Sequence, residues 1–285
     1  MPLQDWDMIE YQIWIPGTEH LLNIKSPDLH FSSNTLWSAT TRNGEEVVLK
    51  CFSDQSAFNT ERTAYSILSK FSRVVDHFIG ATCFNNKPTL VFHKLFPINW
   101  VKGNWQSEFL QILLCHQSLL IPSDCLGETG CLLPKITVNT LLSPLSIWLG
   151  EKKPCFFPVL NKIIEHANLY EALVLSHGDF HPPNILKDAK GQIQFIDWEY
   201  CSWSPPDRDL AALVVGISIR QPLDNYWKIL SFARGYANDL YLFLGLVLSE
   251  IIALLDIFTD NFHIQNILKE ILEITLNCLP NILLQ

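Results

Sequence analysis

The stretch that decides the fold is LSHGDFHPPNILKDAKGQIQFIDWEY, residues 175–200. An apolar strand ends in an HGD triplet whose last residue is Asp179, and Asn184 follows five positions later. Two short β-prone runs around a KDAKG turn then lead to Asp197. Because these three polar side chains lie at the ends of neighbouring short strands, we expect them to converge.

This spacing has a chemical meaning in phosphoryl transfer. In a kinase catalytic loop an Asp accepts the proton of the attacking hydroxyl, and an Asn five positions on holds Mg²⁺. A second Asp, after a short β-pair, holds the metals that bridge the phosphates. Oxygen ligands of this kind suit Mg²⁺, a hard cation. An HGD triplet alone would more often be a turn and a cap, so the hypothesis rests on all three residues in order.

The first third of the chain contains residues that would hold the phosphates. Lys50 ends the strand EEVVLK, and Glu61 lies in the first turn of the next predicted helix. A kinase uses such a lysine on the α/β-phosphates and a helix glutamate to hold the lysine. Each alone would be read as a surface charge, but both come in the right order ahead of the catalytic loop.

A turn must also cover the phosphates, and FSSNTLW, residues 31–37, precedes the first predicted hairpin. It has no glycine and so departs from the G-x-G-x-x-G pattern of protein kinases. Its polar residues could still offer backbone N–H and hydroxyl donors to phosphate oxygens; they are Ser32, Ser33, Asn34 and Thr35.

Hydrophobic periodicity predicts an α+β protein. Asn43-Gly44 indicates a hairpin, and residues 56–71 and 87–96 read as a helix and a strand. After about residue 100 the pattern is helical, apart from residues 124–144, which read as irregular. We therefore expect a β-rich nucleotide-binding domain over residues 1–95 and a larger, mostly helical domain over residues 96–285.

Composition excludes several classes of protein. The chain has 285 residues, 48% of them hydrophobic and 17% charged, which indicates a folded protein. Its net charge of −9 argues against nucleic-acid binding. No cysteine pair has CxxC or zinc spacing, and the first residues lack a signal-peptide pattern.

The apolar run 241–258 is interrupted by Glu250 and Asp256, so it predicts a buried helix; we expect a cytoplasmic protein without a membrane partner.

These motifs resemble the aminoglycoside phosphotransferase and choline kinase-like family, a branch of the protein-kinase-like fold. HGDFHPPNIL is similar to the family's catalytic loop, and FIDWEYCSWSPPDRDLAAL to its metal loop and following helix. SSNTLW is similar to its nucleotide loop, and LLCHQSLL, residues 113–120, to a helix before the catalytic region. The resemblance covers about residues 30–215 and implies a bilobal, protein-kinase-like α+β fold.

The resemblance also implies the chemistry of the site. Asp179 would be the catalytic base, and Asn184 and Asp197 would bind Mg²⁺. Lys50 and Glu61 would form the ion pair that binds the phosphates of ATP or GTP.

Further residues receive supporting roles from the same resemblance. The hinge that hydrogen-bonds the nucleotide base would be residues 92–95, and its named members are Phe92, His93 and Leu95. Asp209 would be a buried acid that braces the catalytic loop, and His177 would pin that loop. Asp207 and Arg208 are expected to be charges at a helix start.

The segment after the metal loop bears on the acceptor. Only twelve positions separate Asp197 from Asp209, with no A-P-E sequence, so a peptide-binding activation loop does not fit. We therefore expect a small-molecule acceptor. The resemblance implies a hydroxylated one: an antibiotic, an amino alcohol, a sugar or a natural-product intermediate. Two alternatives stay open. They are a pseudokinase that binds nucleotide without turnover, and an atypical protein kinase.

Glu250 is the second clue to the acceptor. It lies in LGLVLSEIIALL among apolar residues, where a carboxylate is costly unless it is paired or faces water. It would either pair with an Arg or Lys, face solvent, or line the acceptor site together with Glu199. In the last case two carboxylates would favour a cationic acceptor.

Overall fold

A computed structural model of the chain describes residues 22–31, 34–41, 43–100, 105–123, 132–168 and 173–283. The described residues form two compact units. The first contains the residues up to Pro97 together with Leu186–Tyr200, and the second contains Ile98–Ile185 and the residues from Cys201 onward. The segment 186–200, which the sequence boundary assigns to the helical domain, thus groups with the β-rich unit.

The first unit is built on antiparallel strands. The strands are β1 (Leu22–Phe31), β2 (Asn34–Thr41), β3 (Glu46–Cys51), β4 (Phe78–Phe84), β5 (Lys87–His93), β6 (Phe96–Pro97), β8 (Ile185–Lys187) and β9 (Ile193–Phe195). The main sheet has the order β1-β2-β3-β5-β4, and helix α1 (Gln55–Leu68) connects β3 to β4. A second sheet has the order β6-β8-β9, which explains why residues 186–200 belong here.

Local sequence explains the turns of this unit. The predicted Asn43-Gly44 turn joins β2 to β3, and Gly44 has a φ of 82°. Asn85 and Asn86 join β4 to β5 with φ values of 50° and 59°. Two central residues with positive φ make the tight hairpin turn whose twist matches that of the strands, and asparagine tolerates this conformation.

The second unit is mainly helical. Strands β7 (Val174–Ser176) and β10 (Ser202–Ser204) form an antiparallel pair within it, with Leu175 opposite Trp203. Its helices are α2 (Trp105–Gln117), α3 (Val138–Lys152), α4 (Phe157–Asn168), α5 (Arg208–Ser218), α6 (Tyr226–Arg234), α7 (Leu240–Ile257) and α8 (Phe262–Leu283).

One prediction is wrong in this unit. Residues 138–144, which read as irregular, are the first turns of α3. Thr137 caps this helix by accepting a hydrogen bond from the Thr140 N–H at 3.3 Å. Pro144 lies inside this helix.

Helix α7 is the predicted buried helix of the apolar run. By length and composition it is the one helix in the described ranges that could cross a membrane, but 61% of it is buried inside the protein. A Cβ at Gly245 would lie 2.5 Å from Ile163 of α4 and 3.2 Å from Leu142 of α3. This close approach of neighbouring helices is what a core helix requires.

Candidate active site

A cavity of about 260 Å³ lies in the first unit. Lys50 of β3 lines it, and Val48, two residues earlier on the same strand, lines it too. Leu36 pairs with Lys50 across β2 and β3. Further apolar walls come from Leu186 and Ile196. Because side chains two apart on a strand share a face, the lysine and an apolar wall meet in one cavity.

Lys50 lies among carboxylates. Its Nζ is 2.6 Å from Glu61 Oε2, hydrogen-bonds to Asp197 Oδ1, and is 3.7 Å from Glu199 Oε2. Lys50 and Glu61 are both buried, and Glu61 lies in the second turn of α1 rather than the first. Burial alone would lower the pKa of Lys50, but the charges of Glu61 and Asp197 outweigh burial and raise it. The lysine is therefore held as an ammonium ion.

Asp197 has an unusual backbone conformation. Its φ is 67°, in the left-handed region that costs a non-glycine residue ~1 kcal/mol. The next residue, Trp198, is buried, and its Nε1–H donates to the Phe195 carbonyl at 2.9 Å. Surrounding structure must hold such a strained residue in place, and strain of this kind concentrates at functional sites.

Asn34 and Glu199 complete this cluster. Asn34 Nδ2 donates to Glu199 Oε2 at 2.9 Å, and the buried Asn34 Oδ1 has no hydrogen-bond partner among the described residues. Oxygens of Glu61, Asp197 and Glu199 lie within 4.8 Å of one another. Three carboxylates share one ammonium group, so the cluster has an excess of negative charge, and an unpaired amide oxygen adjoins it. These oxygen donors fit a hard divalent cation such as Mg²⁺.

Some of the other residues predicted to bind the nucleotide line the cavity, and others do not. Phe92, His93 and Leu95 line the cavity, whereas Thr35 does not. The His93 N–H donates to the His77 carbonyl at 2.8 Å, so it is engaged within the unit. Ser32 and Ser33 lie outside the described residues.

The cavity is also lined by His77 and Tyr65, which the sequence does not predict as site residues. His77 Nδ1 is 2.9 Å from Gln194 Oε1, and the Tyr65 hydroxyl is 3.4 Å from His77 Nε2. Burial lowers the pKa of His77 to about 4, so this histidine is neutral at pH 7. Nothing in the local sequence signals this group, because Gln194 is brought to His77 across 117 positions of the chain.

Asp179 and Asn184 meet in the second unit. Asn184 Nδ2 donates to the Asp179 carbonyl and to Asp179 Oδ2, both at 2.8 Å. This arrangement leaves Asn184 Oδ1 as the amide oxygen that can ligate a metal. The predicted convergence of Asp197 with these two residues stays a prediction.

Asp209 braces the loop that contains Asp179. Its carboxylate accepts hydrogen bonds from Ser176 Oγ and the His177 N–H at 2.7 Å, and from the Gly178 N–H at 3.1 Å. His116 Nε2 of α2 lies 3.2 Å away. Burial alone would raise the pKa of Asp209, but the hydrogen bond and charge of His116 outweigh it and hold the pKa well below its usual range.

His177 contributes through its ring as well as its backbone. Its Nδ1 accepts a hydrogen bond from the Asp179 N–H at 3.3 Å. The ring is fully buried, in contact with Phe180. The triplet His177-Gly178-Asp179 is therefore held in two ways: Asp209 accepts from its backbone N–H groups, and the histidine ring accepts from the Asp179 N–H.

Asp207 and Arg208, the two residues expected as helix-start charges, lie at the start of α5 and also have tertiary partners. Asp207 makes no side-chain cap on α5; it accepts from the backbone N–H groups of Asn238 and Asp239. Arg208 Nη2 donates to the Gly178 carbonyl at 3.2 Å. Both residues therefore lie at the helix start as predicted, and both charges also bind partners elsewhere in the same unit.

We expect Asp209→Asn to lower the free energy of unfolding by about 1.5–3 kcal/mol, the range for hydrogen bonds to a buried charge. Urea unfolding at neutral pH measures the change. Asp224→Asn removes an exposed carboxylate of the same unit and should change little.

The difference should shrink in acid. Because the pKa of Asp209 is lower in the folded than in the unfolded chain, its contribution is present above ~pH 4 and is lost as the pH falls toward the folded-state pKa. A difference that grows in acid would contradict this picture.

Glu250 pairs with a histidine, not with the expected Arg or Lys. Its Oε1 is 3.2 Å from His181 Nε2, and 28% of its side chain is exposed. Glu199, its suggested companion at the acceptor, lies with Lys50 and Asn34 in the first unit.

Part of the chain matches a known protein family, and solved structures share its fold. Residues 148–239 match the model of the phosphotransferase enzyme family. No curated protein matches the sequence. The similar solved structures include a choline kinase from Cryptosporidium parvum Iowa II, at 12% identity and a TM-score of 0.59, covering 90% of this chain and 88% of that one.

Two further solved structures have a similar fold. Spectinomycin phosphotransferase, solved with ADP and spectinomycin, has 14% identity and a TM-score of 0.55 over 93% of this chain and 94% of that one. APH(2")-IIia, solved with GDP and kanamycin, has 16% identity and a TM-score of 0.54 over 94% and 96%. The predicted α+β, protein-kinase-like fold is confirmed. The match of residues 148–239 to the phosphotransferase enzyme family confirms the predicted resemblance over that part of the chain.

Proposed function

We propose that this chain, whose residues 148–239 match the phosphotransferase enzyme family, transfers the γ-phosphate of ATP or GTP to a hydroxyl group of a small molecule. The observation that carries the proposal is the Lys50 ammonium held between Glu61 and Asp197 in a cavity with apolar walls. A flat base suits the apolar part of that cavity, and phosphates suit the ammonium.

The nucleotide base would lie among the apolar side chains of Leu36, Val48 and Leu186, which line the cavity. In the hinge, the N–H groups of His93 and Lys94 donate to carbonyls of the same unit. We therefore propose that the Leu95 N–H donates the hydrogen bond to the nucleotide base. Similar structures solved with ADP and with GDP support a nucleotide co-substrate and leave both nucleotides as candidates.

The residues fit a magnesium site. In the first unit, Asp197 would hold the metal, and Glu199 and Asn34 Oδ1 offer further oxygens. In the second unit, Asn184 Oδ1 is the ligand that the resemblance implies. Bound Mg²⁺ would neutralise charge on the phosphates.

The protein's own residues account for the remaining steps. Asp179 accepts the proton of the acceptor hydroxyl as its oxygen bonds to the γ-phosphorus. The bond from that phosphorus to the bridging oxygen breaks, and the nucleoside diphosphate leaves with its charge stabilised by Lys50. Asn184 and the Asp209 brace fix the direction of the Asp179 carboxylate.

The acceptor is proposed to be a small molecule. The short segment after Asp197 enters β10 and then α5 directly, so it offers no platform for a peptide. The similar structures include enzymes solved with kanamycin and with spectinomycin, and choline and ethanolamine kinases. Hydroxylated amines are therefore the first acceptors to try.

The experiment is a screen with purified protein and Mg·ATP or Mg·GTP against aminoglycosides, amino alcohols, sugars and hydroxylated amino acids. The expected result is nucleoside diphosphate release that depends on one compound class and stops with EDTA. Nucleotide binding without release in every case would instead indicate the pseudokinase alternative.

We expect Lys50→Met to lower kcat/KM by about 10- to 100-fold, which corresponds to losing charged hydrogen bonds worth ~1.5–3 kcal/mol. The KM for nucleotide should rise and kcat should fall, because Lys50 contacts phosphates in the ground and transition states.

Initial rates across nucleotide concentrations test this expectation, with Lys70→Met as a matched control because Lys70 is an exposed lysine of the same unit. Melting temperatures of both variants separate lost binding from lost folding. A Lys50→Met protein that folds and has wild-type kinetics would remove Lys50 from the site.

A further inference from the structure

A histidine lies between two carboxylates beside the proposed base. His181 Nε2 is 3.2 Å from Glu250 Oε1 on α7 and 3.5 Å from Asp179 Oδ1. The His181 N–H donates to the Asp179 carbonyl at 2.9 Å, so ring and base belong to the same turn. Neither His181 nor Glu250 has a role in the phosphoryl-transfer steps proposed for Asp179 and Lys50.

The imidazole is held by a close approach of α5. A Cβ on Gly216 would lie 2.7 Å from His181 Nδ1 and 2.6 Å from Pro182 Cδ, distances that real Cβ atoms do not reach. Only glycine at this position lets the ring and the helix backbone come so near. The ring therefore has α5 at its Nδ1 side and α7 at its Nε2 side.

The charges around the ring favour a proton on Nε2. Burial would lower the pKa of His181, but the hydrogen bond and charge of Glu250, together with the charge of Asp179, outweigh burial and the repulsion of Arg220 and raise it. A neutral ring with its proton on Nε2 makes the same contacts. The link between the two carboxylates exists in either protonation state.

The two oxygens of Asp179 thus have different neighbours. Oδ2 accepts from Asn184 Nδ2 at 2.8 Å, and Oδ1 faces His181 Nε2. A hydrogen bond on one oxygen and a contact with the imidazole on the other favour one plane of the carboxylate. A catalytic group must be held within a few tenths of an ångström of its productive position.

We propose that His181 is a positioning residue for the base Asp179, and that Glu250 of α7 orients His181. The link runs from the core helix α7 through one imidazole to the catalytic loop. This inference rests on the proposed function, because it needs Asp179 to act as the base.

The competing explanation is that Glu250 binds a cationic acceptor. The two explanations differ when no acceptor is present. A positioning role acts on the base and therefore affects hydrolysis of Mg·ATP by water, whereas an acceptor-binding role affects only reactions with an acceptor.

The experiment measures ADP release from Mg·ATP by the full chain, first with water alone and then with the best hydroxylated amine of the screen. His181→Leu should lower kcat for hydrolysis by about 10- to 100-fold, the range for removing a group that orients an active-site residue. The KM for ATP should stay nearly unchanged. His181→Gln, whose amide N–H can replace Nε2–H, should recover most of the loss.

A double substitution tests the link itself. Glu250→Gln alone should lower kcat by a smaller factor in the same direction. Added to His181→Leu, it should have little further effect, because residues that act through one another are not additive. Asp256→Asn on α7 and His263→Gln on α8 are matched controls, since both side chains are exposed. Melting temperatures show whether each variant folds.

The outcomes separate this inference from the function on which it rests. If Asp179→Asn abolishes turnover while His181→Leu keeps wild-type kcat, the inference is overturned and the proposed function stands. If Glu250→Gln changes only the acceptor KM, Glu250 binds acceptor and the positioning link is overturned. If Asp179→Asn has full turnover, or the wild type releases no ADP with any acceptor, both are overturned.

Discussion

Asp179→Asn is expected to lower phosphoryl transfer by about 10²–10⁴-fold, the usual cost of losing a general base. An amide at this position has almost the shape of the carboxylate, and its oxygen can still accept from Asn184 Nδ2. What the amide cannot do is take a proton from the acceptor hydroxyl. The loss should therefore fall on kcat, with nucleotide affinity nearly unchanged.

Single-turnover kinetics and calorimetry with Mg·ATP measure these two quantities separately. Asp260→Asn, which removes an exposed carboxylate of the same unit, controls for the change in charge. An Asp179→Asn protein with near-normal kcat would show that the proton goes elsewhere.

Asp197→Ala is expected to abolish transfer and also to weaken binding of Mg·ATP. The Asp197 carboxylate hydrogen-bonds to Lys50 and belongs to the oxygen cluster with Glu61 and Glu199. Its removal takes away a partner of the lysine and, if the proposed function holds, a ligand of the metal. Binding of Mg·ATP should therefore fall more than binding of ATP in EDTA, because only the first uses the metal.

Calorimetry of both forms of the nucleotide checks this expectation. Asp197→Asn is a useful second variant, because asparagine tolerates the left-handed φ of 67° at this position. Asp76→Ala, an exposed carboxylate of the same unit, is the control. Equal loss for both forms of ATP would argue against a metal role for Asp197.

Much of this picture is predictable from residues 175–200 and from Lys50 and Glu61. Fixed spacing along the chain determines which side chains a short loop can bring together, and this explains the contact of Asn184 with Asp179. Strand alternation explains why Lys50 shares a face with Val48. Such local rules need no knowledge of the rest of the fold.

The missed features depend on contacts between distant parts of the chain. His77 meets Gln194 across 117 positions, and Arg208 reaches Gly178 across 30. No period or motif encodes such pairs. The sequence marks Glu250 as a costly carboxylate and leaves open an Arg or Lys partner, solvent or the acceptor. Its partner His181 lies 69 positions earlier, on a loop that packs against α7, and no pattern encodes that contact.

The most direct measurement of the central claim is phosphorus NMR of the product formed from Mg·ATP or Mg·GTP and a panel of small hydroxylated amines. The proposed function predicts a new phosphate monoester on one acceptor class with the wild-type protein and almost none with Asp179→Asn. No phosphorylated acceptor under any condition, or equal product from Asp179→Asn, would contradict it.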